Sequence, residues 1–213
     1  MKEAVGSKGG KDTVVASITE TLANNVEHLV LTGTKAISGT GNTLGNTLTG
    51  NTGKNVLKGG GGNDSLDGGS GNDTLNGDAG RDLLDGGIGT DKLNGGTDND
   101  ILVWASTDSY DGGSGVDTLK IDSGELNLTA VASSKIRNVE QIDLTAVDNN
   151  LLTLNARDVL DISSSTNTLK VLGSAGDSVD IVGSFTTGAV SGGFRTYRVG
   201  TGTLLVDTDI AVV

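Results

Sequence analysis

Five aspartates recur at nine-residue intervals: Asp64, Asp73, Asp82, Asp91 and Asp100. In blocks of nine, residues 41–103 are GNTLGNTLT, GNTGKNVLK, GGGGNDSLD, GGSGNDTLN, GDAGRDLLD, GGIGTDKLN and GGTDNDILV. Position 1 is Gly and position 8 is Leu in every block, while position 6 is Asn46, then Asn55, then the five aspartates. An eighth block, GGSGVDTLK at 112–120, adds Asp117. Carboxylates repeated at a fixed period among glycines supply hard oxygen donors. If the blocks stack, the carboxylates form rows that repel one another. A hard divalent cation between successive turns reverses that repulsion, drawing on carboxylate and main-chain carbonyl oxygens. The amides of Asn46 and Asn55 lower the site charge, so full metal sites are not expected in the first two blocks.

The elements that must position these groups follow from the same blocks. The last three residues of each alternate about one leucine and read as a very short strand with that leucine inward. The first six are glycine-rich and read as turns with left-handed positions. Turn, strand, turn and strand use two blocks, so blocks two apart stack. Asp64, Asp82 and Asp100 then share one edge, and Asp73 and Asp91 the other. Asp82 has an acidic neighbour in both directions along its edge. The leucine ladder is thin. Ordering the backbone costs roughly 1–2 kcal/mol per residue, whereas burying one leucine per nine residues returns about 1.5–3 kcal/mol. A further source of stability is required.

This nonapeptide, GGxGxDxUx with U a large apolar residue, resembles the RTX (repeats-in-toxin) repeat. The resemblance implies an all-β, calcium-stabilised parallel β-roll (a β-solenoid) binding several Ca2+ ions. It also implies calcium held by position-6 aspartates of adjacent coils and by carbonyls of the glycine-rich loops. The ligand pairs would be Asp64 with Asp82, Asp73 with Asp91, and Asp82 with Asp100. The loop glycines would be Gly60, Gly62, Gly69, Gly71, Gly80, Gly87 and Gly89. Asp117 follows Asp100 one residue short of a full coil, which leaves Asp108 and Asp111 as further candidate ligands.

Composition fits a chain that needs cations to fold. Hydrophobic residues make up only 34%, and the net charge of −12 would favour disorder in a medium without calcium. The acidic balance argues against nucleic acid and anionic membranes as partners. There is no cysteine and a single histidine, His28, which excludes a disulfide framework and argues against a zinc or thiol site. No nucleophile elbow, P-loop or dinucleotide fingerprint occurs, so an enzyme is not expected. No apolar run reaches membrane-spanning length, and residues 1–10 lack the apolar core of a signal peptide. No membrane insertion is expected; if the chain is secreted, its export address lies elsewhere, or its first residues are a cut end.

The chain divides by texture into N-terminal capping strands (1–40), the β-roll (41–120) and a C-terminal β-rich cap (121–213). Residues 1–12 read as frayed, 14–18 and 26–31 as strands, and 33–42 as a linking turn. WASTDSYD (104–111) reads as a bulge or cap on the solenoid; Trp104 and Tyr110 could alternatively form an aromatic platform for sugar. From 116 onward, short period-2 strands alternate with polar turns, and 155–162 reads as a helix with Asn155 as N-cap and Asp158 in its first turn. NVEHLVLTG (25–33) and NVEQIDLTA (138–146) echo one another and read as capping strands of similar design.

Residues 104–213 resemble the type I secretion target region that ends many RTX exoproteins. The resemblance rests on KIRNVEQIDLT, LLTLNARDVLDI and TLLVDTDIAVV, with Asp207 and Asp209 ahead of an apolar end. It implies an uncleaved C-terminal export signal, type I secretion machinery as partner, and an extracellular or cell-surface location. The whole then reads as a non-catalytic folding and secretion module at the C-terminus of a bacterial RTX adhesin, with upstream domains in a larger chain. Alternatives are a module trailing a secreted lipase, protease or polysaccharide-modifying enzyme, or a glycan- or ice-binding module. The ice reading would use Thr40, Thr43, Thr47, Thr49 and Thr52.

Overall fold

The computed structural model describes residues 10–122, 125–146, 149–163 and 166–213. The fraying expected of residues 1–12 lies, for 1–9, outside the described residues. The chain forms two compact units, one ending at Gly115 and the other starting at Val116. Among the described residues, no helix is long and apolar enough to cross a membrane.

The first unit is a parallel β-roll. Its strands are β1 (Thr13–Ala16), β2 (Glu20–Thr21), β3 (His28–Leu31), β4 (Ser38–Thr40), β5 (Thr47–Thr49), β6 (Val56–Gly61), β7 (Ser65–Asp67), β8 (Thr74–Ala79), β9 (Leu83–Asp85), β10 (Lys92–Thr97), β11 (Ile101–Val103) and β12 (Ser109–Ser114). Odd strands line up as β1-β3-β5-β7-β9-β11 and even strands as β2-β4-β6-β8-β10-β12, each neighbour parallel. Thr47, Ser65, Leu83 and Ile101 stand in register, so blocks two apart do stack.

Position 8 points inward throughout. Leu29, Leu48, Leu66, Leu84 and Leu102 are buried behind the odd sheet, and Leu57, Leu75 and Leu93 behind the even one. In the β4 coil this place falls to Gly39, where a Cβ would press on side-chain carbons of Leu29 and Leu57.

Several boundaries differ from those expected. The even strands β6, β8, β10 and β12 run on through three residues of the next block, which had read as turn. Gly60, Asp78, Gly96 and Gly113 share one register position there, with φ of +107°, +72°, +119° and +102°. A left-handed residue kinks each strand without ending it, and glycine takes that conformation at low cost. β1 stops at Ala16 and leaves Ile18 exposed, and the linking turn at 33–42 contains β4.

The second unit contains β13 (Thr118–Lys120), β14 (Glu125–Asn127), β15 (Ile136–Arg137), β16 (Gln141–Asp143), β17 (Leu151–Asn155), α1 (Ala156–Ile162), β18 (Thr168–Leu172), β19 (Ser178–Val182), β20 (Thr186–Ser191), β21 (Phe194–Val199), β22 (Gly202–Asp207) and β23 (Ala211–Val212). β13-β16-β18-β22 pair in parallel and are extended by the antiparallel strands β21 and β20; β14-β17-β19-β23 form a second parallel sheet. The helix has its expected cap. The Asn155 side chain accepts from the Arg157 and Asp158 amides, and Asp158 accepts from the Asn155 amide.

The two echoing segments supply β3 and β16. Each is paired on both sides, β3 with β1 and β5, β16 with β13 and β18, so neither is a cap. Their shared pattern places Val26, Leu29 and Leu31, and likewise Val139, Ile142 and Leu144, in the core. TLLVDTDIAVV is likewise not one strand. Asp207 accepts from the Asp209 amide, and the turn carries the chain from β22 to β23 in the other sheet.

Candidate metal centre

Each position-6 side chain reaches back one coil. Asp64 Oδ1 accepts from the Asn46 amide at 2.6 Å, Asp82 from Asp64 at 2.8 Å, and Asp100 from Asp82 at 2.8 Å. On the other edge Asp73 accepts from Asn55 at 2.7 Å and Asp91 from Asp73 at 2.6 Å. These bonds hold the carboxylates in two straight rows. The β-roll requires this, because the amide ahead of each short strand has no ladder partner of its own.

The second oxygen is the informative one. Oδ2 of Asp64, Asp73, Asp82 and Asp91 is buried and accepts no hydrogen bond. A buried carboxylate oxygen without a partner is costly. Each lies against the position-1 glycine of its own block: Asp64 against Gly59, Asp73 against Gly68, Asp82 against Gly77 and Asp91 against Gly86. The carbonyl oxygens of Gly77, Gly86 and Gly95 converge on the places beside Gly59, Gly68 and Gly77 respectively, where a Cβ would fill the space. Carboxylate and carbonyl oxygens therefore meet between coils with no hydrogen to share. Among the described residues no group of three or more His, Cys, Asp or Glu side chains converges, so a cation here must draw on the main chain. Oxygen donors only, with no soft or nitrogen ligand, suit calcium.

Of the loop glycines inferred from the sequence, Gly62, Gly69, Gly71, Gly80, Gly87 and Gly89 lie in or beside these turns, whereas Gly60 lies within β6. Gly60, Gly62, Gly69, Gly71, Gly80 and Gly87 have φ between +78° and +126°. Gly80 stacks on the carbonyl of Gly62, Gly87 on that of Gly69, and Gly89 on that of Gly71, too closely for any side chain. The glycines against the carboxylates, Gly59, Gly68, Gly77 and Gly86, are not among those the sequence reading names; their signal is the invariant first position, which turn geometry also accounts for.

Asp108, a candidate ligand from the sequence, takes a place in one of the rows. It is buried, and its Oδ1 accepts from the Asp91 amide at 2.8 Å. It thus continues the row of Asp73 and Asp91. Tyr110, two residues on, pairs in register with Leu93 and is 2% exposed, so it holds the inward position of the block. WASTDSYD is therefore a coil of the roll one residue short, not a bulge. With its ring in the core, and its hydroxyl bonded to Ala105, Tyr110 cannot present a face to sugar. The threonine rows also lapse: Thr47 continues as Ser65, Leu83 and Ile101, and Thr49 as Asp67 and Asp85, so no threonine array for ice forms on that sheet. Asp111 is half-buried and in register with Asn94, on the strand after the row. Asp117 belongs to the second unit, where its amide donates to Glu140 Oε2 at 3.1 Å.

Residues 40–75 and 67–102 match the family of the RTX calcium-binding nonapeptide repeat (4 copies). No curated protein matches the chain. The first unit thus carries RTX repeats folded as a parallel β-roll, and such repeats bind Ca2+ ions.

Without metal, burial is the main influence on these carboxyls and raises them. Asp64 is pushed up to about 7; the Asn46 amide opposes this, and the charges of Asp82 and Asp78 add to it. Asp73 and Asp82 are pushed up to about 6 for the same reason, and Asp91 is raised as well. The folded coils therefore bind protons more tightly than the unfolded chain, whose aspartates titrate near 3.8. The stability this confers is complete below that value and is lost as pH rises through about 6 to about 7. In chelator, far-UV circular dichroism should gain β signal on acidification from neutrality toward pH 4 (about the unfolded value). A spectrum unchanged across that window contradicts the assignment.

Proposed function

We propose that the chain is a calcium-dependent folding and type I export module of a bacterial surface adhesin, itself without catalysis. The observation that carries the reading is the double row of buried carboxylates with bare Oδ2 atoms. In a medium poor in calcium the rows repel, and the acidic, weakly hydrophobic coils that carry them stay open. An open chain suits threading through a narrow exporter, and calcium outside then closes it. RTX repeats are found in exported bacterial proteins, which agrees with this order of events. The second unit supplies the address: its Asp207–Asp209 turn and β23 form an acidic-then-apolar end of the kind seen in C-terminal export signals. The β-roll motif is a calcium-binding one, and its acidic groups sit in glycine turns that serve cation binding better than proton transfer.

The test is export through a type I system into the medium. Deleting residues 202–213 should abolish appearance of the chain outside. The paired substitution Asp82→Ala with Asp91→Ala should leave export intact and yield an exported chain that folds poorly in calcium. Undiminished export of the deleted chain would refute the assigned address.

A further inference from the structure

The first two blocks carry asparagine where later blocks carry glycine and aspartate, and the asparagine amides do what a hydrogen-free carboxylate cannot. Asn42 stands at position 2. Its Nδ2 donates to the carbonyls of Ala23 at 2.7 Å and Val26 at 2.8 Å, one coil earlier. Asn51 does the same on the opposite edge, donating to Thr32 at 3.2 Å and Lys35 at 3.0 Å. The position-6 asparagines add to this. Asn46 Nδ2 donates to Val26 at 3.1 Å, and Asn55 Nδ2 to Ile37 at 2.8 Å. Within each pair, the position-2 amide N–H donates to the position-6 side-chain oxygen: Asn42 to Asn46 at 2.7 Å and Asn51 to Asn55 at 2.8 Å. Asn46 and Asn55 are buried, yet their side-chain oxygens are satisfied, in contrast to Oδ2 of Asp64 and Asp73.

A cation between coils supplies positive charge to several oxygens at once. Two polarised N–H groups aimed at two carbonyls supply the same complement, more weakly but without assembly from solution. Later blocks lack this device because position 2 there is Gly60, Gly69, Gly87 or Gly96, or Asp78 with φ +72°.

We infer that Asn42, Asn46, Asn51 and Asn55 replace the cation in the first coils, so that calcium uptake begins at Asp64 and Asp73 and the strands from β3 to β5 close without metal. This rests on the reading of the aspartate rows as calcium sites. It gives those rows a preformed surface at their N-terminal end, on which the first aspartate coil can stack when calcium arrives.

The test uses the whole chain. Amide hydrogen exchange in chelator should show protection at residues 29–49 and little at 65–102. Calcium should then protect the second stretch and leave the first nearly unchanged. Exchange at 29–49 as fast as at 65–102 in chelator, with calcium still bound when supplied, overturns the inference and leaves the aspartate rows standing. A wild-type chain that binds no calcium in calorimetry overturns the aspartate rows themselves. The double substitution Asn42→Gly with Asn46→Asp restores the glycine–aspartate pattern. It should raise the calcium stoichiometry above wild type and make protection at 42–49 depend on calcium. Unchanged stoichiometry with unchanged protection would also overturn the inference. Should the double variant fail to fold, the wild-type exchange pattern still decides.

Discussion

Asp82→Ala and Asp91→Ala are expected to release more calcium than Asp64→Ala or Asp73→Ala. The reason is position within the rows. Asp82 lies between Asp64 and Asp100, and Asp91 between Asp73 and Asp108, so each faces a carboxylate on the coil before and the coil after. Asp64 and Asp73 face an asparagine on one side, Asn46 and Asn55. Each alanine also strips the acceptor from a buried main-chain amide, a loss of about 1.5–3 kcal/mol for a charged acceptor. That second loss is common to all four and does not change the ranking. Substitution by asparagine separates the two effects, since it keeps an oxygen for the amide and removes only the charge. Calorimetric stoichiometry on the intact chain, with denaturant unfolding at saturating calcium, measures both. Equal calcium losses at Asp64 and Asp82 would mean that successive coils do not share ions.

The roll was legible in the sequence because its period is written three times over, in Gly, Asp and Leu. Once blocks two apart stack, the two carboxylate rows and the inward leucine ladder follow from strand geometry. What escaped was whatever broke the period. The block at 104–111 has lost one residue and its glycines, so the sequence leaves Asp108 one of two candidate ligands beside Asp111 and hides the inward place of Tyr110, although each keeps its position in the block. The continuation of β6, β8 and β10 through glycine was hidden because the residue that permits it, such as Gly60, is the type that usually ends a strand. In the second unit the strands are legible from their alternation, but their pairing into parallel sheets is not. Its register steps are unequal, Thr118 with Gln141 and then Gln141 with Lys170, so no fixed spacing announces which strands meet. β20 carries no alternation at all, being exposed along its whole length, and is held by its antiparallel pairing with β21.

Calcium withdrawal reaches further than any single substitution. The coils from β6 to β12 hold Asp64, Asp73, Asp82, Asp91, Asp100 and Asp108 buried, and one inward large side chain per block is their only core. Removing the cations leaves those charges to desolvation and mutual repulsion. The second unit stands differently. Its buried Asp177 accepts from the Asn150 amide with one oxygen, and from the Ser174 amide and hydroxyl with the other, so protein donors satisfy it without metal. It also buries a denser apolar set, including Ile142, Leu152, Leu154, Val159, Leu169, Val171, Val179 and Leu204. The chain should therefore lose the coils from β6 to β12 and keep the second unit when calcium is removed. Because the ligands assemble only on folding, calcium affinity appears as folding free energy. The most direct measurement is far-UV circular dichroism of the intact, metal-free chain titrated with calcium at neutral pH. The account predicts partial β signal at the start and a cooperative rise centred at about 10⁻⁴–10⁻³ M calcium, the range of extracellular sites. A spectrum identical in chelator and in saturating calcium would contradict it.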